Sequence, residues 1–226
     1  TGARSLPRQP AMSLHESRLG GLLGLLVGDA VGVPYEFHPP SQLPPMHAID
    51  LHPPAGFPRA HASVPPGTWS DDGAQALALL DSLLARGGLD LDHFSDALCA
   101  WWRTGRYAVD GLVFDVGLQT QAALIRLEQG LPPERAGPDD EQSNGNGSLM
   151  RVLPLALWHR GDDTELALLA ARQSLPTHGH ARSQVACAMY CLWARAVMEG
   201  VRDPWAEADM RLRAVASGRL FPHEEL

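Results

Sequence analysis

The chain contains no lysine: all 18 of its basic residues are arginines. That excludes a lysine Schiff base and the lysine of a phosphate-binding P-loop. Against 26 acidic residues the net charge is −8, which argues against a general nucleic-acid binder and against a protein drawn to anionic membranes. Cysteine is scarce: Cys99, Cys187 and Cys191 make an odd count, expected of reduced thiols in a cytoplasmic protein rather than a disulfide framework. Cys187 and Cys191 lie four apart in a helical stretch and are expected in the core. Neither further Cys nor suitably spaced His completes a ligand set around them. The apolar run Leu19–Val27 is too short to span a bilayer and meets Asp29. No alternating apolar and polar stretch reads as a strand, so the expected class is all-α.

At 226 residues and 45% hydrophobic content, the chain can bury one substantial core. Residues 1–13 read as a loose polar tail, and 14–226 as one helical domain. Helical periodicity predicts segments at 14–31, 72–86, 91–104, 116–130, 147–160, 163–174, 179–200 and 204–217. In the first, Leu19, Leu22, Leu23, Leu26 and Ala30 form an apolar stripe. Gly20, Gly24, Gly28 and Gly32 form a second face, predicted to meet another backbone closely. The segment 72–86 is apolar nearly all round and is expected to be central. Asp90, Asp92, Asp162 and Asp163 suit helix starts. Residues 38–66 hold nine prolines and predict a long irregular segment.

Four clusters carry chemistry, all at predicted helix ends or turns. The first is Gly28-Asp29-Ala30-Val31-Gly32 running on to Glu36; its acids could equally be solvated surface groups. The second is Ser70-Asp71-Asp72, opening the central helix. Two carboxylates and a hydroxyl there suit a hard divalent cation, or simply a helix cap. The third, Ser143-Asn144-Gly145-Asn146-Gly147-Ser148-Leu149-Met150-Arg151, feeds a predicted helix start, where free N–H groups suit a phosphate. An ordinary Asn-Gly turn with a Ser cap reads the same way. The fourth is Thr177-His178-Gly179-His180, whose histidines could be plain turn residues.

Taken in this order, the four clusters resemble the ADP-ribosylglycohydrolase family, whose hallmarks are a G-D-A-x-G-x-x-x-E segment, an S/T-D-D segment, an N-G-x-x-M-R turn and a T-H segment. A weaker match, Asp115-Val116-Gly117 with Thr120, lies between the second and third. The resemblance spans roughly residues 15–200. It implies an all-α fold of packed, roughly orthogonal helices around a cleft that holds two Mg²⁺ or Mn²⁺ ions and an ADP-ribose. It implies Ser70, Asp71 and Asp72 as metal ligands. Glu36, Asp72 and Asp115 would be the catalytic acids, Glu36 handling a proton or water and Asp115 touching the reacting ribose. Asn144, Gly145, Asn146, Gly147 and Ser148 would hold the diphosphate by backbone amides, with Met150 and His178 lining the cleft. The implied activity is hydrolysis of the bond between ADP-ribose and an acceptor, a modified protein side chain or a small molecule. No nucleic-acid or membrane partner is implied.

Two departures stand out. The family's C-terminal D-x-D-T segment, which supplies ligands to both metals, has no counterpart after Thr177, so the domain is expected to be C-terminally incomplete and weak in metal binding. Gly73 also stands where the family usually has Thr. A degenerate member that binds ADP-ribose or a related nucleotide without catalysis is the alternative.

Overall fold

The computed structural model describes residues 13–216. Among these, nine α-helices run in chain order: α1 (Leu14–Gly32), α2 (Asp71–Arg86), α3 (Leu91–Thr104), α4 (Leu118–Glu128), α5 (Pro133–Ala136), α6 (Leu153–Trp158), α7 (Asp163–Arg172), α8 (Ala181–Met198) and α9 (Pro204–Ala216). Among the described residues there is no strand, and the fold is all-α. None of these helices is long and apolar enough to cross a membrane.

Helix α2 is central, as its apolar pattern predicts. It packs on α1, α3 and α6, and Ala74, Ala78, Leu79 and Leu83 are fully buried. Helix α8 packs on α6, α7 and α9 and brings Cys187 and Cys191 into the core, both wholly buried. Burial raises both thiols above their ordinary ionisation range, as apolar surroundings disfavour a thiolate. Helix starts follow the predicted chemistry. The Asp90 carboxylate accepts from the His93 N–H and Asp162 from the Glu165 N–H. Helix α3 ends at Gly105 with φ 70°, where a Cβ would strike Gly111, so only glycine serves there.

Three expectations need correction. Ser13 is no tail residue: its hydroxyl and Glu16 form a reciprocal capping box that starts α1. Residues 1–12 and 217–226 lie outside the described residues. Of the apolar stripe of α1, Leu19 and Leu23 are about half exposed, Leu22 and Leu26 are partly buried, and Ala30 enters the core. The glycine face does not meet a backbone. A Cβ at Gly24, Gly28 or Gly32 would touch nothing within 4 Å. Gly20, Gly21 and Gly24 instead border an apolar groove of about 1020 Å³ shared with α6 and α8. Finally, the stretch predicted as a helix over 147–160 is helical only from Leu153 to Trp158. Gly145 and Gly147 favour a turn energetically, and Pro154 has no N–H to extend the helix backwards but tolerates its first turn.

The candidate active-site cleft

The cleft is built around the start of α2. Ser70 caps that helix, its hydroxyl accepting weakly from the Asp72 N–H at 3.4 Å. The stronger cap comes from α1. Asp29 accepts from the Ser70 N–H at 2.9 Å, the Ser70 hydroxyl at 2.9 Å and the Gly73 N–H at 2.7 Å. A carboxylate on free N–H groups at a helix start is the arrangement that the helix dipole favours. So Asp29, open between solvated acid and site residue in the sequence, is the group that orients Ser70-Asp71-Asp72. The glycine at position 73 also has a local cause: a Cβ there would lie 2.8 Å from the Trp69 ring, which is held in place by its N–H bond to the Tyr107 carbonyl.

From the end of α1 the chain turns through buried Val33, Pro34 and Tyr35 and delivers Glu36 to the same cleft. The proline-rich segment beyond is irregular, as expected, but it is pinned. The Tyr35 hydroxyl donates to the Asp50 carbonyl at 2.9 Å and accepts from the Asp50 N–H, and Phe57 packs on the Tyr35 and His38 rings. This segment returns His61 to Glu36, with Nε2 2.7 Å from Oε2. Asp115, at φ 56°, completes the group, its Oδ1 3.7 Å from His61 Nε2.

Glu36, Asp71, Asp72 and Asp115 therefore line one cavity of about 420 Å³, with Gly145, Asn146, Gly147, Met150 and His178 along its other wall. Among the described residues no arginine lines it. Burial and mutual repulsion push the carboxyls up: Asp71 to about 8 and Asp72 to about 7, with Asp29, Glu36 and Asp115 raised mainly by burial. Crowded carboxyls without a counter-charge retain protons.

The far wall is a glycine turn packed on an imidazole. A Cβ at Gly147 would lie 2.7 Å from His178 Cε1, and one at Gly145 would lie 3.2 Å from Gln119 Oε1. Gln119 fixes the turn: it accepts from the Gly145 N–H and donates to the Ser143 carbonyl. Burial beside Arg151 pushes His178 down to about 3, so it faces the cleft as a neutral ring. Two predicted members are placed elsewhere. The Asn144 amide donates to the Glu141 carbonyl. The Ser148 hydroxyl points into the core, accepting from the Ser174 hydroxyl at 2.7 Å. The turn also does not open a long helix, so its backbone N–H groups rather than a helix dipole are what it offers an anion.

Behind both walls lies Arg151, fully buried. Its guanidinium donates to Gln75 Oε1 at 2.8 Å, Gln173 Oε1 at 3.2 Å and the Gln173 carbonyl at 3.0 Å. Gln75 in turn donates to Asp71 Oδ2 at 3.3 Å, and Gln173 to the Ser148 carbonyl at 3.1 Å. One buried cation thus ties the acid wall to the glycine wall. Burial lowers it to about 10, still charged at neutral pH.

His61, Gln119 and the Arg151 relay had no sequence signal strong enough to single them out. His61 is one of ten histidines, in a segment without periodicity. Arg151 was visible only as the last residue of its motif.

An all-helical domain with an acid-walled cleft facing a glycine turn is the class that fold and geometry define. The model of one family, ADP-ribosylglycohydrolase, matches residues 10–224, and the chain belongs to that family. It is 34% identical over 177 residues to the ADP-ribosylarginine hydrolase Tri1 of Pseudomonas putida (strain GB-1), covering 78% of this chain and 45% of that protein. It is 31% identical over 176 residues to the ADP-ribosyl-[dinitrogen reductase] glycohydrolase of Rhodospirillum rubrum, covering 77% of this chain and 55% of that one. Among solved structures it resembles a chain of an "ADP-ribosylglycohydrolase-related protein complex", with a TM-score of 0.64 and 33% identity over 92% of this chain and 64% of the other. The chain spans about half the length of the curated relatives it matches.

Proposed function

We propose that this protein hydrolyses the glycosidic bond joining ADP-ribose to an arginine side chain of a modified protein, assisted by a divalent cation. The observation that carries the reading is the convergence of Glu36, Asp71, Asp72 and Asp115, from three separated parts of the chain, opposite the Gly145–Gly147 turn in one cleft. The choice of arginine is supported by relatives named for ADP-ribosylarginine hydrolysis.

The cleft's two ends suit the two ends of ADP-ribose. Apart from the Gly145 N–H, which Gln119 takes, the backbone N–H groups of the glycine turn meet the diphosphate, and neutral His178 packs behind Gly147 without competing for a proton. The distal ribose then lies at the acids. Breaking its C1″–N bond builds positive charge on the sugar, which the carboxylates stabilise. Water supplies the hydroxyl that replaces nitrogen at C1″, and the departing guanidine takes a proton. Glu36, partly exposed and hydrogen-bonded to His61, is the group placed to move that proton. Asp71 and Asp72, with Ser70 beneath them, are the ligands nearest a cation's place. The donor set fits such an ion, because the lining holds carboxylate oxygens and no arginine to neutralise them. When bound, the ion would orient ribose hydroxyls and lower the pKa of a water.

The test is release of ADP-ribose from arginine-ADP-ribosylated protein in the presence of Mg²⁺ or Mn²⁺. Turnover is expected, with a loss of about 10²–10⁴-fold in Glu36→Gln and at least as much in Asp72→Ala. ADP-ribose binding without turnover on arginine, serine and small O-linked acceptors would make the protein a binding module instead.

A further inference from the structure

We infer that Arg151 is a positioning residue that aims both walls of the cleft through two amide side chains with separate tasks: Gln75 sets the Asp71 carboxylate on the acid wall, and Gln173 sets the Ser148 peptide on the glycine wall. The inference rests on reading the cleft as an ADP-ribose site with a divalent cation at its acids, and adds the residues that hold those parts in register. Arg151 is wholly buried, yet among the described residues its guanidinium donates only to two neutral glutamines and pairs with no carboxylate. Its remaining contact is the Phe94 ring, 5.1 Å away. A buried cation without a paired anion is costly, and apolar replacements for buried charges are often neutral or stabilising. Packing alone therefore gives no reason for an arginine at this position, whereas a site that must be aimed does.

The guanidinium fork determines which way each amide faces. A guanidinium only donates, so the oxygen of each glutamine must turn towards Arg151 and the NH₂ group must point elsewhere. For Gln75, one helical turn after Asp71 on α2, the NH₂ group reaches Asp71 Oδ2 at 3.3 Å. It is the only side-chain donor to that buried carboxylate among the described residues, and it leaves Oδ1 to the cavity that Asp71 lines. For Gln173 the NH₂ group reaches the Ser148 carbonyl at 3.1 Å and the Ala170 carbonyl at 3.2 Å. Among the described residues no other donor reaches the Ser148 carbonyl. The Ser174 hydroxyl draws the Ser148 side chain inward as well, at 2.7 Å. With residue 148 bolted to the core from behind, the N–H groups of Asn146, Gly147 and Ser148 have no partner among the described residues and stand open to a diphosphate. One arginine thus prevents two amides from flipping, and each amide governs a different half of the substrate site.

Three variants separate the arms. Gln75→Met and Gln173→Met each cut one arm at nearly constant volume and leave Arg151 the other. Arg151→Lys keeps the charge, but a compact ammonium cannot reproduce the fork that meets both amides. Two binding constants are read without turnover: Mn²⁺ by electron paramagnetic resonance of the free ion, and ADP-ribose by calorimetry in chelator. Gln75→Met is expected to weaken Mn²⁺ about tenfold or more and to leave ADP-ribose within about twofold. Gln173→Met is expected to weaken ADP-ribose about tenfold, as for a buried carbonyl left without its donor, and to leave Mn²⁺ within about twofold. Arg151→Lys should weaken both. Melting temperatures check folding, and because each arm has its own variant, a fold lost in one leaves the other to decide. General loosening would move both constants together. Parallel losses in a folded glutamine variant, wild-type affinities in Arg151→Lys, or a wild type that binds neither probe at millimolar concentration each overturns the assignment. ADP-ribose release is measured separately, with kcat expected to follow Gln75 and KM to follow Gln173. Turnover without the split sinks only the positioning role, and the split without turnover sinks only the hydrolase reading.

Discussion

Without divalent ions, the protein is expected to lose stability as pH rises from about 4 to 8, the reverse of ordinary acid denaturation. Asp71 and Asp72 have ordinary values of 3.8 and folded-state values of about 8 and about 7. The folded form therefore binds more protons than the unfolded form throughout that window, so stability falls with pH there. A tenfold change in proton affinity between the two forms is worth about 1.36 kcal/mol. The two carboxyls titrate against each other, so Asp72 alone, rising from 3.8 to about 7 on folding, sets the scale: roughly 4 kcal/mol across the window. For a chain of this size that is about 8–16 °C in melting temperature. The assay is thermal unfolding in chelator between pH 4.5 and 8.5, on wild type and on Asp71→Asn/Asp72→Asn. The double variant should match wild type near pH 4.5 and exceed it by several degrees at pH 8. Mn²⁺ should restore the wild type at pH 8 and do little for the variant, because an ion that binds only the folded state adds stability through its ligands. Equal pH slopes in the two proteins, or a variant weaker than wild type at pH 8, would refute the view that these acids are buried uncompensated.

Two further outcomes follow from the geometry. Asp29→Ala removes the acceptor of three hydrogen bonds at the start of α2 and should cost about 3 kcal/mol in urea unfolding, together with most of the cation affinity; an effect below about 0.5 kcal/mol would mean that Ser70 alone caps the helix. Gly147→Ala sets a Cβ 2.7 Å from His178; overpacking of about 1–3 kcal/mol should lower the melting temperature by about 2–12 °C, and displacement of the turn should weaken ADP-ribose binding about tenfold or more by calorimetry. Undiminished affinity would remove the glycine turn from the binding site.

Most of the helices were legible because their signals are local. Caps such as Asp90 and Asp162 and the apolar periodicity of α2 and α8 need nothing from the rest of the chain. The acid half of the cleft was legible for a different reason: Glu36, Asp71, Asp72 and Asp115 occur in motifs whose order resembles one family. What escaped depends on tertiary partners. The stripe on α1 has the right period, but Leu19 and Leu23 stay about half exposed among the described residues. The segment 147–151 has helical periodicity, yet packing of Gly145 and Gly147 on Gln119 and His178 holds it as a turn. His61 owes its place to the Tyr35–Asp50 bonds and the aromatic contacts of a loop, none of which leaves a pattern in sequence.

The Asp29 cap has a consequence for transplanting this site. Its acceptor stands 41 residues before Ser70 and 44 before Gly73, on a different helix. The short run Ser70-Asp71-Asp72 is therefore not a portable module. Copied to the start of an unrelated helix, it would carry its two acids without the carboxylate that aims them, and their like charge would fray the first turn. A designer moving it must import a second helix end along with it, docked to within hydrogen-bonding distance. The smallest transferable unit is a pair of helices, not a short peptide.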